Sequence, residues 1–327
     1  MTTSSPAPAT RFHYSLLKIV SGSELSQRRL PYMEATSAQP GPVVWFTACM
    51  HGDEVGGIVV VQELFKRLRK RPLLRGQIRA FPLMNPLGFE TGARQITQSE
   101  EDLNRAFPGV EGGTLAERIA ARVFQAIIAT QPAVVVDLHN DWIRSIPYTV
   151  IDPDDANRAE SLTQAIDRAA IASGFPVVVE EQAIERSLTH SLIRRGIPAL
   201  TVELGEAHVV NETNVQLGVR CCGAILESLG MLAPSEPFRF PVPPRVAGVR
   251  LTYTNKPFSS TSGIIRFLTA PGMWVTRGQP LAKVSNAFGR LQETLYTPAE
   301  GLVLGHADSS VAYPGAPVVA LGVLPDR

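Results

Sequence analysis

The amino-acid sequence predicts an α/β chain with a mostly parallel or mixed sheet flanked by helices, followed by a small all-β domain. Three observations carry that expectation. Short apolar runs with little alternation, such as Val43 to Cys49 (VVWFTAC) and Ala133 to Leu138 (AVVVDL), suit strands buried on both faces of a sheet. Segments with apolar residues at helical spacing separate such runs, and strands alternating with helices imply a mostly parallel sheet. Near residue 235 the pattern changes. Ala233 to Arg245 holds five prolines, and beyond it short strand-like runs are divided by glycines.

In chain order, Met1 to Thr10 is rich in Ser, Thr, Pro and Ala and lacks the charged and apolar blocks of a secretion signal, so it reads as a loose tail. The α/β part is expected over residues 11–235. After the strand Val43 to Cys49, Glu54 to Arg69 reads as a helix with Val55, Ile58, Val59, Leu64, Phe65 and Leu68 as its apolar positions. Ile78 to Leu83 is a second strand, closed by Asn85-Pro86. Thr114 to Ile128 is a helix opened by a capping box between Thr114 and Glu117. Then follow the strand Ala133 to Leu138, the helix Ala156 to Ala172, the strand Pro176 to Val179 and the helix Ser187 to Arg195. The strand Ala199 to Leu204 and the helix Glu212 to Leu229 complete the α/β part. A Pro-rich linker over 236–245 leads into an all-β domain over 246–327, where no helix is expected.

Composition narrows the function. With 327 residues, 44% hydrophobic and 19% charged, the chain can bury a sizeable core. A formal net charge of +1 argues against a nucleic-acid partner. The basic run Lys66, Arg67, Arg69, Lys70, Arg71 falls at a helix C-terminus, where cations favour the dipole, and reads as a solvated face. Cys49, Cys221 and Cys222 make no disulfide framework, which points to a reduced, cytoplasmic setting. No 18-residue apolar run occurs, so no membrane span is expected.

The sharpest feature is His51-Gly52-Asp53-Glu54, directly after a strand and opening a helix. Imidazole and carboxylate are ordinary zinc ligands, and the end of a strand points into the crevice where open α/β sheets bind ligands. Gly52 supplies backbone freedom for a tight turn between the two. A catalytic zinc needs a third protein ligand and an open position, and His139 ends the apolar strand Ala133 to Leu138. The bland alternative for His139 is a hydrogen-bonded core histidine. One zinc per chain is expected from His51, Glu54 and His139. His13, His190, His208 and His306 lack this context, although His208, five residues after Glu203, can come close to the site.

Glu203 lies in Thr201-Val202-Glu203-Leu204-Gly205, where an unpaired buried acid is costly unless a cation compensates. It is taken as the one acid at an expected strand end outside the ligand region and Asp137, and so as the general base. Asp137, two residues before His139, is expected to support the strand end or orient a ligand. A long polar loop, Leu87 to Gly109, carries Arg94 and Asp102-Leu103-Asn104-Arg105. Loops of that length are usually functional, and arginine suits both carboxylate recognition and oxyanion stabilisation.

Taken together, His51-Gly-Asp-Glu54, Asn85-Pro86, Arg94, Asp102-Leu-Asn-Arg105, Asp137-Leu-His139-Asn140 and Val202-Glu203-Leu-Gly205 resemble the succinylglutamate desuccinylase/aspartoacylase family, which is related to the zinc carboxypeptidases. The motifs come in the family's order and cover most of Val43 to Gly205. The resemblance implies a carboxypeptidase-like fold and zinc held by His51, Glu54 and His139. It implies that Glu203 is the base and that Arg94 polarises the scissile carbonyl. It further implies that Asn104 and Arg105 hold the substrate carboxylate and that Asp102 supports their loop. The substrate implied is a small anionic N-acyl amino acid. Asp141-Trp142 stands where aspartoacylases carry small hydroxyl residues, which leaves substrate choice open. The subgroup it looks most like includes bacterial deacylases of acetylated diaminobutyrate, an ectoine breakdown product.

The C-terminal part resembles biotinyl/lipoyl carrier domains through Val275-Thr-Arg-Gly278-Gln-Pro-Leu281 and Tyr296-Thr-Pro298-Ala-Glu-Gly301. The stretch Asn286 to Gln292 has no lysine to modify, which disfavours a carrier role. Rival readings are a zinc carboxypeptidase acting on peptides and a non-catalytic metal-binding protein. No G-x-S-x-G supports a serine hydrolase, and Gly109 to Gly113 lacks the G-K-[S/T] of a nucleotide site. Cys49 reads as a buried apolar cysteine rather than a nucleophile. A homo-oligomer is compatible with the sequence, which fixes no oligomeric state.

Overall fold

The computed structural model describes residues 10–21, 27–246, 248–307 and 309–325, so the tail expected over Met1 to Thr10 lies, Thr10 excepted, outside the described residues. In chain order the strands are β1 (Arg11–Ser21), β2 (Gln27–Thr36), β3 (Val43–Ala48), β4 (Gln77–Phe81), β5 (Val134–Asp141), β6 (Arg144–Ser145), β7 (Tyr148–Ile151), β8 (Val177–Val179) and β9 (Ala199–Glu206). They continue as β10 (Arg250–Thr254), β11 (Gly263–Phe267), β12 (Trp274–Val275), β13 (Pro280–Ser285), β14 (Leu291–Tyr296), β15 (Gly301–His306), β16 (Val311–Ala312) and β17 (Val319–Val323). The helices are α1 (Gly56–Leu68), α2 (Pro86–Thr91), α3 (Leu115–Ile128), α4 (Glu160–Ala172), α5 (Leu188–Ile193) and α6 (Glu212–Ser228).

One mixed sheet runs in the order β1-β2-β4-β3-β5-β9-β7-β8-β10-β17-β15-β12, with β6 on β15. At its centre β4, β3, β5 and β9 are parallel, as buried apolar strands linked by helices require. Helices cover both faces. Gly57 in α1 lies against Ala48, whereas Trp45, of opposite parity on the same strand, donates to Thr130 just beyond α3. Thr114 and Glu117 form the expected capping box. The basic run at the end of α1 is solvated, with Lys66 on Glu63 and Arg71 on Glu227. All three cysteines are buried and free. No helix among the described residues is long and apolar enough to cross a membrane.

Three features have no counterpart in the sequence reading. β1 and β2 pair antiparallel, and β2 adds antiparallel to β4. β7 inserts beside β9 and runs antiparallel to it, with Tyr148 opposite Glu203. The loop Leu87 to Gly109 contains α2, an isolated bridge between Ile96 and Glu101, and a 3-10 turn over Leu103–Arg105.

As expected, no helix appears among the described residues from 250 to 320, and β14-β13-β11-β16 form a separate small sheet. The remaining C-terminal strands extend the large sheet, because β10 pairs parallel with β8. Within the Pro-rich stretch, Phe238 and Phe240 pack edge-on against Phe175, and the Phe240 amide donates to Gly174.

Candidate metal centre and substrate cavity

The C-terminal ends of β3, β5 and β9 meet at one edge, and register makes the meeting specific. Ala48 pairs with Leu138, Leu138 with Val202, and His139 with Glu203. The turn after β3 then delivers His51 and Glu54. It begins at Cys49, which adopts a left-handed backbone with φ 52°. Strain of that kind persists only where the surroundings hold it in place. Gly52 serves the turn for a reason other than the expected one. A Cβ there would lie 2.0 Å from the Gly88 carbonyl carbon, so glycine permits the close approach of α2. The helix also starts later than the sequence suggests, at Gly56, which leaves Glu54 in the turn and free to point inward.

His51, Glu54 and His139 are all buried, and one ligand atom from each lies within 4.8 Å of the others. Among the described residues they form a group that can hold a metal ion. The Glu54 carboxylate lies between the two rings, with His51 Nδ1 at 2.5 Å from one oxygen and His139 Nδ1 at 2.8 Å from the other. Each ring's second nitrogen is already occupied. His51 Nε2 lies 3.2 Å from Asp102 Oδ1, and His139 Nε2 lies 2.8 Å from Asp137 Oδ2. Thr47 Oγ1 in turn donates to Asp137 Oδ1 at 2.6 Å. A carboxylate on the outer nitrogen fixes the tautomer and raises the basicity of the inner one, as metal-ligating histidines require.

Electrostatics agrees with a cation at the convergence point. Burial disfavours charge on both rings, yet Glu54 with Asp102 at His51, and Asp137 with Glu54 at His139, outweigh it and raise both ring pKa values. Burial likewise opposes the Glu54 charge, but His51 and His139 hold its carboxyl well below the usual range. The site therefore demands positive charge, which a divalent ion meets on deprotonated ligands.

Asn140 holds the architecture together. Its Oδ1 accepts from the first helical amide of α1 at Gly56, its Nδ2 donates to the Gly205 and Glu206 carbonyls, and its amide donates to Glu54 Oε2. One side chain thus joins the ends of β5 and β9 to the start of α1.

A cavity of about 340 Å³ is lined in part by His51, Glu54 and His139. Its floor follows one face of the sheet through Tyr148, Val150 and Asp152 on and just beyond β7 and Ala199, Thr201 and Glu203 on β9, and Leu200 lines it as well. Glu203 Oε2 is buried without a hydrogen-bond partner. Burial, reinforced by Asp141 and opposed by His139, pushes its carboxyl well above the ordinary range. Arg94 lies 3.7 Å from Glu54 and 3.1 Å from Asp102. Asn104 and Arg105 line the rim, with Asn104 Oδ1 accepting from the Leu188 amide at 2.9 Å.

Of the residues left open, Asp141 lines the cavity and accepts from the Tyr148 hydroxyl. His190 pairs with Asp152 at 2.9 Å, and His208, half-exposed, lies 3.8 Å from Asp53. The sequence reading passed over Glu180 and Asp152, which also line the cavity; Asp152 stands four residues along the chain from Tyr148, the residue paired with Glu203. The signal was present, since each directly follows an apolar strand, VVV and YTVI. Glu203 is therefore not the one strand-end acid outside the ligand region and Asp137. Tyr253, from β10 in the C-terminal part, also lines the cavity.

The family model described as the succinylglutamate desuccinylase/aspartoacylase catalytic domain matches residues 40–229, which span every residue of the metal group. An N-alpha-acetyl-L-2,4-diaminobutyric acid deacetylase of Halomonas elongata is 27% identical over 253 residues, covering 75% of this chain and 70% of the relative. A succinylglutamate desuccinylase of Shewanella sp. (strain MR-4) is 28% identical over 196 residues, covering 56% of this chain and 55% of the relative's length. Among solved structures, a product-bound ectoine utilization protein from Ruegeria pomeroyi superposes with a TM-score of 0.81 at 21% identity, covering 95% of each chain. A metallo-carboxypeptidase from Burkholderia cenocepacia superposes with a TM-score of 0.54 at 19% identity, over 66% of this chain and 65% of that one. These two likenesses show the carboxypeptidase-like fold.

Proposed function

The chain belongs to the succinylglutamate desuccinylase/aspartoacylase family, and from that premise we propose that it hydrolyses the amide bond of a small N-acyl amino acid, using one zinc ion held by His51, Glu54 and His139. The observation that carries the reading is the pair of Nδ1 atoms meeting on Glu54, with each outer ring nitrogen fixed by its own carboxylate. Two imidazoles and a carboxylate are an ordinary zinc donor set, and three protein ligands leave a coordination position open. Zinc held there would supply Lewis acidity and make water a stronger acid.

The chain's own residues do the rest. Glu203 takes a proton from the attacking water and later delivers it to the departing amine nitrogen. Its buried, unpaired oxygen and its register beside His139 support that role. Arg94 polarises the scissile carbonyl, and its position next to Glu54 supports this. Arg105 and Asn104 hold the substrate carboxylate. The Leu188 amide occupies Asn104 Oδ1, which leaves the Asn104 N–H donors for a ligand. The names deacetylase and desuccinylase borne by relatives favour acyl removal over the cleavage of peptides.

Metal analysis of the purified chain, followed by a screen of N-acyl amino acids against dipeptides, tests the reading. One zinc per chain and chelator-sensitive release of acyl groups are expected. Dipeptide cleavage without deacylation would move the chain to the carboxypeptidase reading.

A further inference from the structure

The deacylase reading leaves the side chain of the substrate unspecified, and the cavity's charge layout addresses it. Five carboxylates line the cavity (Glu54, Asp141, Asp152, Glu180 and Glu203) against the two arginines Arg94 and Arg105. Three of the five have work at the metal end: Glu54 among the ligands, Glu203 beside His139, and Asp141 under Tyr148. Asp152 and Glu180 do not. They follow directly on the paired residues Ile151 and Val179 of two neighbouring parallel strands, so their backbones stand side by side. Two carboxylates in that arrangement repel, which favours the arrival of a cation beside them. His190 meets one oxygen of Asp152 at 2.9 Å, and no ion pair of Glu180 occurs among the described residues.

The cavity itself stands independently of these acids, on the His–Glu–His group at one end and the unpaired Glu203 oxygen on its floor. Ala199 and Glu203, four residues apart on β9, both line that floor. The floor is therefore about 13 Å long at strand rise, the span of an extended amino acid with a long side chain. Arg105 and Glu180 line the same cavity, so a positive and a negative pole share it. A polyanionic acyl amino acid would set a second carboxylate against Glu180 and Asp152. An N-acyl diamino acid, with one free carboxylate and one ammonium, matches both poles.

We infer that Glu180 and Asp152 are specificity-determining residues that select an N-acyl amino acid carrying a protonated side-chain amine; the inference rests on the deacylase reading above. The test uses the zinc-loaded full chain and reads ratios of kcat/KM. The substrates are N-acetyl diamino acids of two, three and four side-chain methylenes, N-acetylmethionine and N-acetylaspartate. Wild type is expected to prefer an amine-bearing substrate. Glu180→Gln should lower the amine-to-methionine ratio about 10–100-fold, the worth of a charge-assisted hydrogen bond. Glu180→Asp should restore part of that ratio, and Glu180→Lys should raise the relative rate on N-acetylaspartate. An unchanged ratio in both Glu180→Gln and Asp152→Asn, or a wild-type preference for N-acetylaspartate, overturns the inference while leaving the deacylase reading intact. If no N-acyl amino acid is hydrolysed, the deacylase reading fails instead. Calorimetric titration with free 2,4-diaminobutyrate then decides. Binding that weakens in Glu180→Gln upholds the pair as an amine site, and no binding to wild type overturns it.

Discussion

The two ends of the cavity are built in different ways. At the metal end, every nitrogen of His51 and His139 and both oxygens of Glu54 have a partner, and Asp137 behind His139 is itself held by Thr47. These residues sit on or just after central parallel strands, where the core on both faces fixes the backbone. At the opposite end, Asp152 and Glu180 follow two short strands, β7 and β8, and the wall continues through the irregular segment to Ser187. The contrast teaches a division of labour. Chemistry demands donors fixed to a fraction of an ångström, whereas selection among substrates needs only the right charge at the right distance. Loops supply the second cheaply.

If the division holds, damage at the metal end should abolish the reaction for every substrate. His139→Ala is expected to lose most of the zinc and all measurable deacylation, read by metal analysis beside the assay. Full zinc occupancy in that variant would remove His139 from the ligand set. Glu203→Gln should keep its zinc and lose about 10²–10⁴-fold in kcat, because general acid–base catalysis contributes that much. Loss of zinc in Glu203→Gln would place that residue among the ligands. Near-normal turnover would remove it from the proton path.

One step further out, Asp137 touches the imidazole and not the substrate, so it is a positioning residue. Asp137→Asn keeps the shape of the hydrogen bond to His139 Nε2 and removes the charge that orients the ring. Zinc affinity is expected to fall about 10–100-fold, the usual scale for such outer partners. Excess zinc should restore much of the rate. A competition titration with a chelator measures the affinity directly, and an unchanged constant would show that the outer carboxylate is dispensable.

The same contrast explains what the sequence disclosed. A strand buried on both faces must be apolar, so polar residues at its end stand out, and His51, Glu54, His139 and Glu203 all follow runs of that kind. Asp152 and Glu180 carry the same local signature but follow strands of only four and three residues. β7 was not recognised, and its antiparallel insertion between β9 and β8 depends on pairing across the sheet, which no local pattern encodes. Long-range pairing also hid the pairing of β1 with β2 and the junction of β8 with β10. Gly52 was expected to give the turn backbone freedom, whereas its reason, the backbone of α2 arriving from 36 residues downstream at Gly88, is visible only in three dimensions.

The smallest expected effect lies at the far wall and depends on pH. Burial first, then the neighbouring Asp152, push the Glu180 carboxyl up to about 7, with Arg105 opposing and Glu181 adding to the rise. Other charged or titratable groups close by are His190 on Asp152, Lys256 on Glu181, and Tyr253 from β10. A raised carboxyl pKa means that the group gives up its charge as pH falls through about 7. An ammonium binds the ionised form, so affinity for an amine-bearing substrate should drop as pH falls. Between about pH 8 and about pH 6 the ionised fraction of such a group changes close to tenfold. The kcat/KM ratio of an N-acetyl diamino acid to N-acetylmethionine should therefore fall by up to about tenfold over that range. Taking the ratio removes titrations at the metal end, because those act on both substrates alike. In Glu180→Gln the ratio should be flat across the same range. A ratio equally flat in wild type would mean that Glu180 faces the substrate without carrying the charge that selects it. A slope surviving in Glu180→Gln would move the titration to another group on that wall.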